Sequence, residues 1–179
     1  MAIIKRRKKH APDEPDMILE RLRQVPFFSM YRDDRATIRK ISNMCTRRSY
    51  RKGKYIIREK EFGDELYIIY SGEIDIVKKT LQHEEYTVTN MCADQCALYV
   101  GEMALIDNDR RSASVLAKTD CECLVISRDN FLAFGDENPK VGLAITREIA
   151  RQLVMNLRKS NSDIITLFSA LVEEISTNG

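Results

Sequence analysis

The sequence predicts an α+β fold in which an antiparallel β-barrel or roll is flanked by N-terminal helices and a long C-terminal helix. Apolar residues recur at helical spacing before residue 45 and again after residue 139. Between these regions, short runs of β-branched and aromatic residues are separated by single glycines. Turns at a spacing of about ten residues are typical of antiparallel barrels and rolls.

Length, composition and charge restrict the class of protein. The chain has 179 residues, of which 44% are hydrophobic and 31% charged, as expected for one soluble globular domain with appendages. Its 29 basic and 27 acidic side chains nearly balance, so no global field favours nucleic acid. No apolar run approaches the roughly 18 residues of a membrane span, and no signal peptide is evident. With an odd number of scattered cysteines, we expect a reducing, cytoplasmic location.

We expect the chain to comprise a tail, a domain and an extension. Residues 1–14 are predicted to be a flexible basic tail, because residues 5–9 are all lysine or arginine and little apolar surface is available. A solvated arm is favoured there over a site for nucleic acid or anionic lipid. Residues 15–160 are the predicted domain, and residues 161–179 extend its last helix.

Two helices are predicted before the strands begin. Asp16 is expected to cap the first helix, which Pro26 ends, and Asp33 or Asp34 is expected to begin the second. The strands should then lie around three glycines, namely Gly53, Gly63 and Gly72, and the polar residues 82–85 should form a hairpin tip. Residues 93–100 show no clear pattern.

The end of the chain is predicted to be helical. Ser127 is a good cap for a short helix, and Asn138 with Pro139 is expected to cap and begin a long final helix. Polar residues 158–163 predict a break or a solvent-facing section in that helix. Beyond them, apolar residues spaced by three or four predict a seam for another helix, which favours a homodimer through parallel final helices.

Residues 101–114 place a glycine, a carboxylate and a guanidinium in one short segment. Residues 107–109, Asp-Asn-Asp, are turn formers, so the segment should fold back and bring Glu102 and Arg111 toward one pocket. A guanidinium fork matches a phosphate, and a carboxylate can accept from a hydroxyl. The segment therefore predicts a site for a ligand that carries both groups.

Three motifs in this order and spacing resemble the cyclic nucleotide-binding domain family, of the catabolite activator protein and protein kinase A regulatory subunit type. They are residues 63–74 (GDELYIIYSGEI), residues 101–105 (GEMAL) with residues 111–113 (RSA), and residues 119–131. The resemblance covers about residues 17–160 and implies a β-roll, a jelly-roll-like double-stranded β-helix of about eight strands. Two departures are the long segment before Gly101 and the presence of Arg110 beside Arg111.

The resemblance implies a ligand, cAMP or cGMP, and a role for each matching residue. Its phosphate would be bound by Arg111, Ser112, Ala104 and Ala113, its ribose by Gly101 and Glu102, and its base by Asn156. Arg111 is chosen over Arg110 because Ser112 and Ala113 follow it in phase with the family motif.

The expected function is a receptor, with cAMP preferred over cGMP, that transmits binding through its C-terminal helix to an unidentified effector protein. Two alternatives are a catabolite-activator-type transcription regulator truncated before its DNA-binding domain and a degenerate domain that acts as a scaffold. Since the sequence ends at Gly179 without a helix-turn-helix, we expect no direct DNA binding. Two histidines, His10 and His83, cannot supply a cupin-type metal site, so we expect neither a metal nor enzyme activity.

Overall fold

The computed structural model describes residues 14–80, 82, 84–95, 97–107 and 109–177. Its helices are α1 (Glu14–Gln24), α2 (Arg35–Asn43), α3 (Arg128–Glu137) and α4 (Pro139–Thr177). Its strands are β1 (Thr46–Tyr50), β2 (Tyr55–Ile57), β3 (Glu65–Ser71), β4 (Glu73–Lys79), β5 (Glu85–Cys92), β6 (Leu98–Val100), β7 (Ser114–Ala117) and β8 (Cys121–Ser127). Two 3-10 helices, Pro26–Tyr31 and Glu102–Leu105, complete the described elements. The tail predicted for residues 1–14 lies outside the described residues, except for Glu14.

The strands form two four-stranded antiparallel sheets, which confirms the predicted roll. One sheet has the order β1-β8-β3-β6 and the other has the order β2-β7-β4-β5. Strand β3 shows how the two layers of core arise from period-two alternation. Leu66 and Ile68 belong to the cluster packed under the helices, whereas Tyr67 and Ile69 belong to the cluster inside the roll.

The N-terminal helices agree with the prediction in number but differ in detail. Helix α1 begins at Glu14, so Asp16 is not its cap and instead pairs with Arg35 at 3.4 Å. Asp34 does cap α2, where its carboxylate accepts a bond from the Thr37 amide at 3.0 Å. The 3-10 helix between them was not predicted, because its two buried phenylalanines are adjacent and show no helical spacing.

The predicted strands are present, and residues 93–100, which show no clear pattern in the sequence, contain one more strand. Strand β6 occupies residues 98–100 and pairs with β3, where Tyr67 lies opposite Val100. Three residues are too short a run for alternation to be recognised in the sequence. Residue 83 of the predicted hairpin tip lies outside the described residues, but the Thr80 amide donates to the Glu84 carbonyl at 2.9 Å and closes the turn.

The C-terminal helices form a hairpin. Ser127 caps α3 as predicted, accepting from the Asn130 amide at 3.2 Å. The side chain of Asn138 does not cap α4; it donates to the Phe134 carbonyl at 3.2 Å and accepts from Lys40 at 3.0 Å. Helix α4 is unbroken through residues 158–163, and these residues are exposed, so of the two predicted alternatives the solvent-facing section is the one observed. Its residues 154–177 are all exposed.

Helices α3 and α4 approach each other at a pair of glycines. A Cβ atom added to Gly142 would lie 2.7 Å from the Cα atom of Gly135, a backbone atom that cannot move aside. A Cβ atom added to Gly135 would have no heavy atom within 4 Å. The close contact therefore requires glycine at position 142 but not at position 135.

This asymmetry predicts opposite effects for two matched substitutions. Gly135→Ala should raise the thermal midpoint, because alanine is favoured over glycine in a helix by about 1 kcal/mol. Gly142→Ala gains the same propensity but forces the helices apart, so we expect a net loss of about 1–3 kcal/mol. Thermal unfolding followed by circular dichroism measures both, and equal stabilisation by the two changes would contradict the packing described.

Candidate functional site

Arg111 lies in the loop between the second 3-10 helix and β7, and its backbone is fixed to the loop that precedes β3. The Lys60 amide donates to the Arg111 carbonyl, and the Arg111 amide donates to the Glu61 carbonyl, both at 2.9 Å. Phe62 and Arg110 form an isolated antiparallel bridge beside them. These bonds hold two segments far apart in sequence against each other, and they direct the Arg111 side chain toward β3.

The guanidinium of Arg111 lies between two glycines. One terminal nitrogen donates to the Glu65 carbonyl at 2.7 Å, and the other donates to the Gly101 carbonyl at 3.4 Å. A Cβ atom on Gly63 would lie 2.5 Å from Nε, and one on Gly101 would lie 2.6 Å from Nη1. Any larger residue at either position would therefore occupy the space of the guanidinium.

The charge of Arg111 is not neutralised within the described part of the chain. The side chain is half-buried, and no carboxylate of a described residue lies within 4.0 Å of it. Burial lowers the pKa of Arg111, and the nearby charges of Tyr67, Glu65, Asp64 and Glu102 oppose that shift. Its two hydrogen bonds go to neutral carbonyls and leave other N–H groups available. A partly desolvated cation in this state favours the binding of an anion.

A pocket of about 110 Å³ opens beside this guanidinium. Five residues predicted from the sequence line it together, namely Gly101, Glu102, Ala104, Arg111 and Ser112. A second pocket, of about 250 Å³, also includes Arg111 in its lining, together with residues of β2, of the loop before β3 and of β3 itself. The first pocket is smaller than the roughly 300–1,000 Å³ of typical ligand clefts, so it matches one polar group of a ligand rather than a whole nucleotide.

Glu102 and Ala104 lie in the 3-10 helix that Gly101 begins. Gly101 has a φ of 83°, in the left-handed region that favours glycine. The half-buried Glu102 carboxylate has no hydrogen-bond or ion-pair partner among the residues described, so it is available as an acceptor. The Ala104 amide already donates to the Gly101 carbonyl at 3.1 Å. It could contact a phosphate only by leaving or sharing this bond.

The residues around Arg111 differ in how directly they face the pocket. Ser112 is exposed and lines it, whereas Ala113 is half-buried and is not among its lining residues. Arg110 stacks on the ring of Phe62, 4.6 Å from the centroid, and donates to the Lys60 carbonyl at 2.8 Å. Arg110 thus lines the pocket at its exposed rim with its guanidinium held on Phe62, whereas the guanidinium of Arg111 is half-buried.

Asn156 is not brought to this site by the single chain. It lies on the exposed part of α4 and does not line either pocket that contains Arg111. Its role toward the base therefore stays a prediction. The predicted turn at residues 107–109 includes Asn108, which lies outside the described residues; on either side, the Asp107 amide donates to the Met103 carbonyl at 2.8 Å and Asp109 accepts from the Arg110 amide at 2.6 Å.

Sequence reasoning missed the side chains that position Glu65. Both terminal nitrogens of Arg48 donate to the Glu65 carboxylate at 2.8 Å, and the Tyr67 hydroxyl donates to the same group. The hydrogen bonds from Arg48 hold the pKa of Glu65 below its usual value. The backbone carbonyl of Glu65 accepts a hydrogen bond from Arg111. The bonds of Arg48 and Tyr67 to the Glu65 carboxylate therefore help to hold the guanidinium in place. Gly63 is the glycine of the Gly-Asp-Glu motif and could have been identified from it. No sequence pattern indicated Arg48.

The cysteines behave as small apolar residues. Cys121 and Cys123 are buried free thiols, and burial raises the pKa of Cys123 to about 12.

Across the described residues, no cluster of three or more histidine, cysteine or acidic side chains is arranged to hold a metal ion. None of the described helices is both long and apolar enough to cross a membrane.

Comparison with known proteins identifies relatives of this arrangement. A family model described as "Cyclic nucleotide-binding domain" matches residues 47–138. The chain is 36% identical to human cGMP-dependent protein kinase 2 over 129 residues, which are 72% of this chain and 16% of the kinase. It is 33% identical to the cyclic AMP receptor protein of Thermus thermophilus over 107 residues, 60% of this chain and 48% of that protein. The chain thus spans less than half the length of either relative.

A solved structure shows the same architecture. The catabolite activator protein of Thermus thermophilus superposes with a TM-score of 0.68 at 27% identity, over 79% of this chain and 62% of that one. The match extends beyond the residues of the family model to the flanking helices, as its coverage requires.

Gly63 and Gly101 leave the space that the Arg111 guanidinium occupies, and we call this pair the glycine cradle. It predicts that Gly63→Ala leaves the fold intact but weakens anion binding. The added methyl group meets only the end of a flexible side chain, so the guanidinium can shift at little cost in stability. The shifted guanidinium would lose its bond to the Glu65 carbonyl, and we expect at least a tenfold loss of affinity for cAMP used as the probe, about 1.4 kcal/mol. Calorimetry measures the affinity, and Gly135→Ala, which meets no atom, is the matched control. Unchanged affinity in Gly63→Ala would show that the cradle does not position Arg111.

Proposed function

The chain belongs to the cyclic nucleotide-binding domain family, and on this premise we propose that it is a receptor that binds cAMP in preference to cGMP. The proposed phosphate contacts are Arg111, Ser112, Ala104 and Ala113, the ribose contacts are Gly101 and Glu102, and the base contact is Asn156. Domains of this family are regulatory, and the kinase relative matches the chain over only 16% of its length, so the proposal assigns no catalytic step.

The observation that carries the proposal is the half-buried guanidinium of Arg111 without an anionic partner among the described residues. A cyclic phosphate would supply the missing negative charge, and it would accept the N–H groups that the Glu65 and Gly101 carbonyls leave free. A nearby donor supports the same position, since the exposed Ser112 lines the pocket. A phosphate would therefore match the unpaired charge of Arg111.

The ribose assignment rests on the position of Glu102. Its carboxylate lines the same pocket as Arg111 but does not pair with it, so it can accept a hydrogen bond from a ribose 2′-hydroxyl. A direct salt bridge between the two side chains would have removed both from ligand binding. Their separation supports a ligand that bridges them with a hydroxyl and a phosphate.

The preference for cAMP rests on the chemistry of residues that face the base. Ser112 is compatible with both nucleotides, because its hydroxyl can contact the phosphate or a guanine amino group. The Asn156 amide can both donate and accept, as an adenine edge requires. Because Asn156 is exposed on α4, this contact requires α4 of the same chain to close over the base or α4 of a second chain to supply it.

Signal transmission is proposed to pass through Leu105. This residue ends the 3-10 helix of the site and is buried in the same apolar cluster as Ile145 and Ile149 of α4. A phosphate that draws the 3-10 helix toward Arg111 would shift Leu105 within that cluster and favour one position of α4. A ligand changes such an equilibrium only through different affinities for the two positions. We propose that α4 pairs with α4 of a second chain and passes the change to an effector protein.

Isothermal calorimetry with cAMP and cGMP tests the phosphate assignment. We expect Arg111→Ala to weaken cAMP binding by about a hundredfold or more, about 2.7 kcal/mol, because the phosphate loses its charged partner. Arg110→Ala is the matched control and should change the affinity little, since Arg110 is bound to Phe62 and Lys60 at the rim. No heat from either nucleotide with the unmodified protein would refute the ligand assignment, and tighter binding of cGMP would refute the preference.

The ribose assignment is tested with 2′-deoxy-cAMP. The unmodified protein should bind it at least about tenfold more weakly than cAMP, because Glu102 loses the hydroxyl donor. In Glu102→Ala the two nucleotides should bind alike. If Glu102→Ala still distinguishes them to the same extent, another group reads the 2′-hydroxyl.

A further inference from the structure

The C-terminal half of α4 exposes far more apolar surface than a single chain can cover. Ile165, Leu167 and Phe168 have exposed fractions of 67%, 71% and 67%, and none of them belongs to either core cluster. The last α4 side chain packed against the helical cluster is Leu153. Residues 154–177 therefore project as a helix about 36 Å long at 1.5 Å per residue.

The apolar residues of this helix follow one continuous heptad pattern. Val154, Leu157, Ile164, Phe168, Leu171 and Ile175 are separated alternately by three or four positions, with Asn161 in the one remaining place. They form the a and d positions of a coiled coil, in which Asn161 occupies an a position. An asparagine at a single a position sets register between identical helices, so the pattern identifies the partner as the α4 helix of another chain.

The width of the apolar face changes at Asn161. Before it, the flanking e and g positions carry the polar residues Arg158 and Ser160, as a two-stranded coiled coil requires. After it, the flanking residues Ile165, Leu167 and Val172 are apolar, and a second helix alone would leave them in water, whereas the last g position carries Glu174 at the end of the section. Burying e and g positions together with a and d requires more than two helices.

We propose that two α4 dimers join tail to tail through residues 164–175 to form a four-helix bundle, so that the protein is a tetramer. The inference rests on the α4 dimer of the proposed function and adds a second interface to it. Residues 154–163 stay outside the bundle as two-stranded coils. These ten residues separate the two β-roll domains of each dimer from the four-helix bundle by about 15 Å at 1.5 Å per residue.

Charge favours the tail-to-tail arrangement over four parallel helices. The wide section of the apolar face comprises residues 164–175. Arg158 and Lys159 lie before it, and Glu173 and Glu174 lie at its end. An antiparallel overlap of residues 164–175 brings the basic residues of one dimer to about 10 Å, along the helix axis, from the acidic residues of the other, a distance that long side chains narrow. A parallel bundle instead places like charges together. The polar face of the wide section carries serine, threonine and acidic residues but no lysine or arginine, unlike helices that lie on anionic membranes.

Sedimentation velocity of the full chain tests the bundle. We expect a mass four times the 20.7 kDa of the chain. The triple variant Ile165→Ser, Leu167→Ser and Val172→Ser keeps the a and d seam and should halve this mass. The matched control Ser162→Ala, Ser169→Ala and Ser176→Ala changes the solvent face and should remain tetrameric. Tetramers of the e and g variant would overturn the proposal.

The outcomes separate this inference from the dimer on which it rests. A mass of two chains for the unmodified protein would overturn the bundle and leave the dimer, and a mass of one chain would overturn both. Calorimetric titration of each variant with cAMP shows independently whether the nucleotide site is intact.

A charge exchange tests the direction of the overlap. Arg158→Glu with Lys159→Glu should shift the protein toward dimers at low salt, and adding Glu173→Lys with Glu174→Lys should restore the tetramer. Failure of the second pair to restore the mass would overturn the tail-to-tail arrangement.

Discussion

The hydrogen bonds of the Arg111 guanidinium to two backbone carbonyls are the constraint on which the site depends. They place a cation between Gly63 and Gly101, where no side chain could be accommodated. Because carbonyls orient the cation without neutralising it, Arg111 keeps its capacity for an anion while its direction is set in advance. The Arg48–Glu65 pair secures one of those carbonyls from the opposite side.

The two apolar clusters explain how this site is connected to the helices. Strand β3 contributes to both clusters, so it joins the interior of the roll to the layer under α1, α3 and α4. Tyr99, which precedes the site by two residues, packs edge-on against Phe27 with ring centroids 5.0 Å apart. Leu105, at the other end of the 3-10 helix, packs in the same layer. The segment from Tyr99 to Leu105 is thus supported at both ends by the helical core, and a shift of that segment must be accommodated there.

Helix α4 combines two different environments in one continuous element. Its first part is packed by Ile145 and Ile149, and its last part, residues 154–177, is exposed along its whole length. In the proposed mechanism, the first part follows changes in the core and the continuous helix carries them to its far end. The exposed seam of that far end is where another chain would receive it, so sensing and assembly would share one helix.

Local patterns in the sequence determined the helices, most of the strands and the residues of the segment from Gly101 to Ser112, because these features depend on spacing within a few positions. The sequence did not reveal the Arg48–Glu65–Tyr67 network or the space that Gly63 leaves for Arg111, since these contacts join residues distant along the chain. Nor did it decide between a break and a continuous solvent-facing helix at residues 158–163, because all six residues there are polar. Tertiary structure alone decided these features, since a backbone carbonyl, or the space beside a glycine, acquires its partner only when the chain is folded.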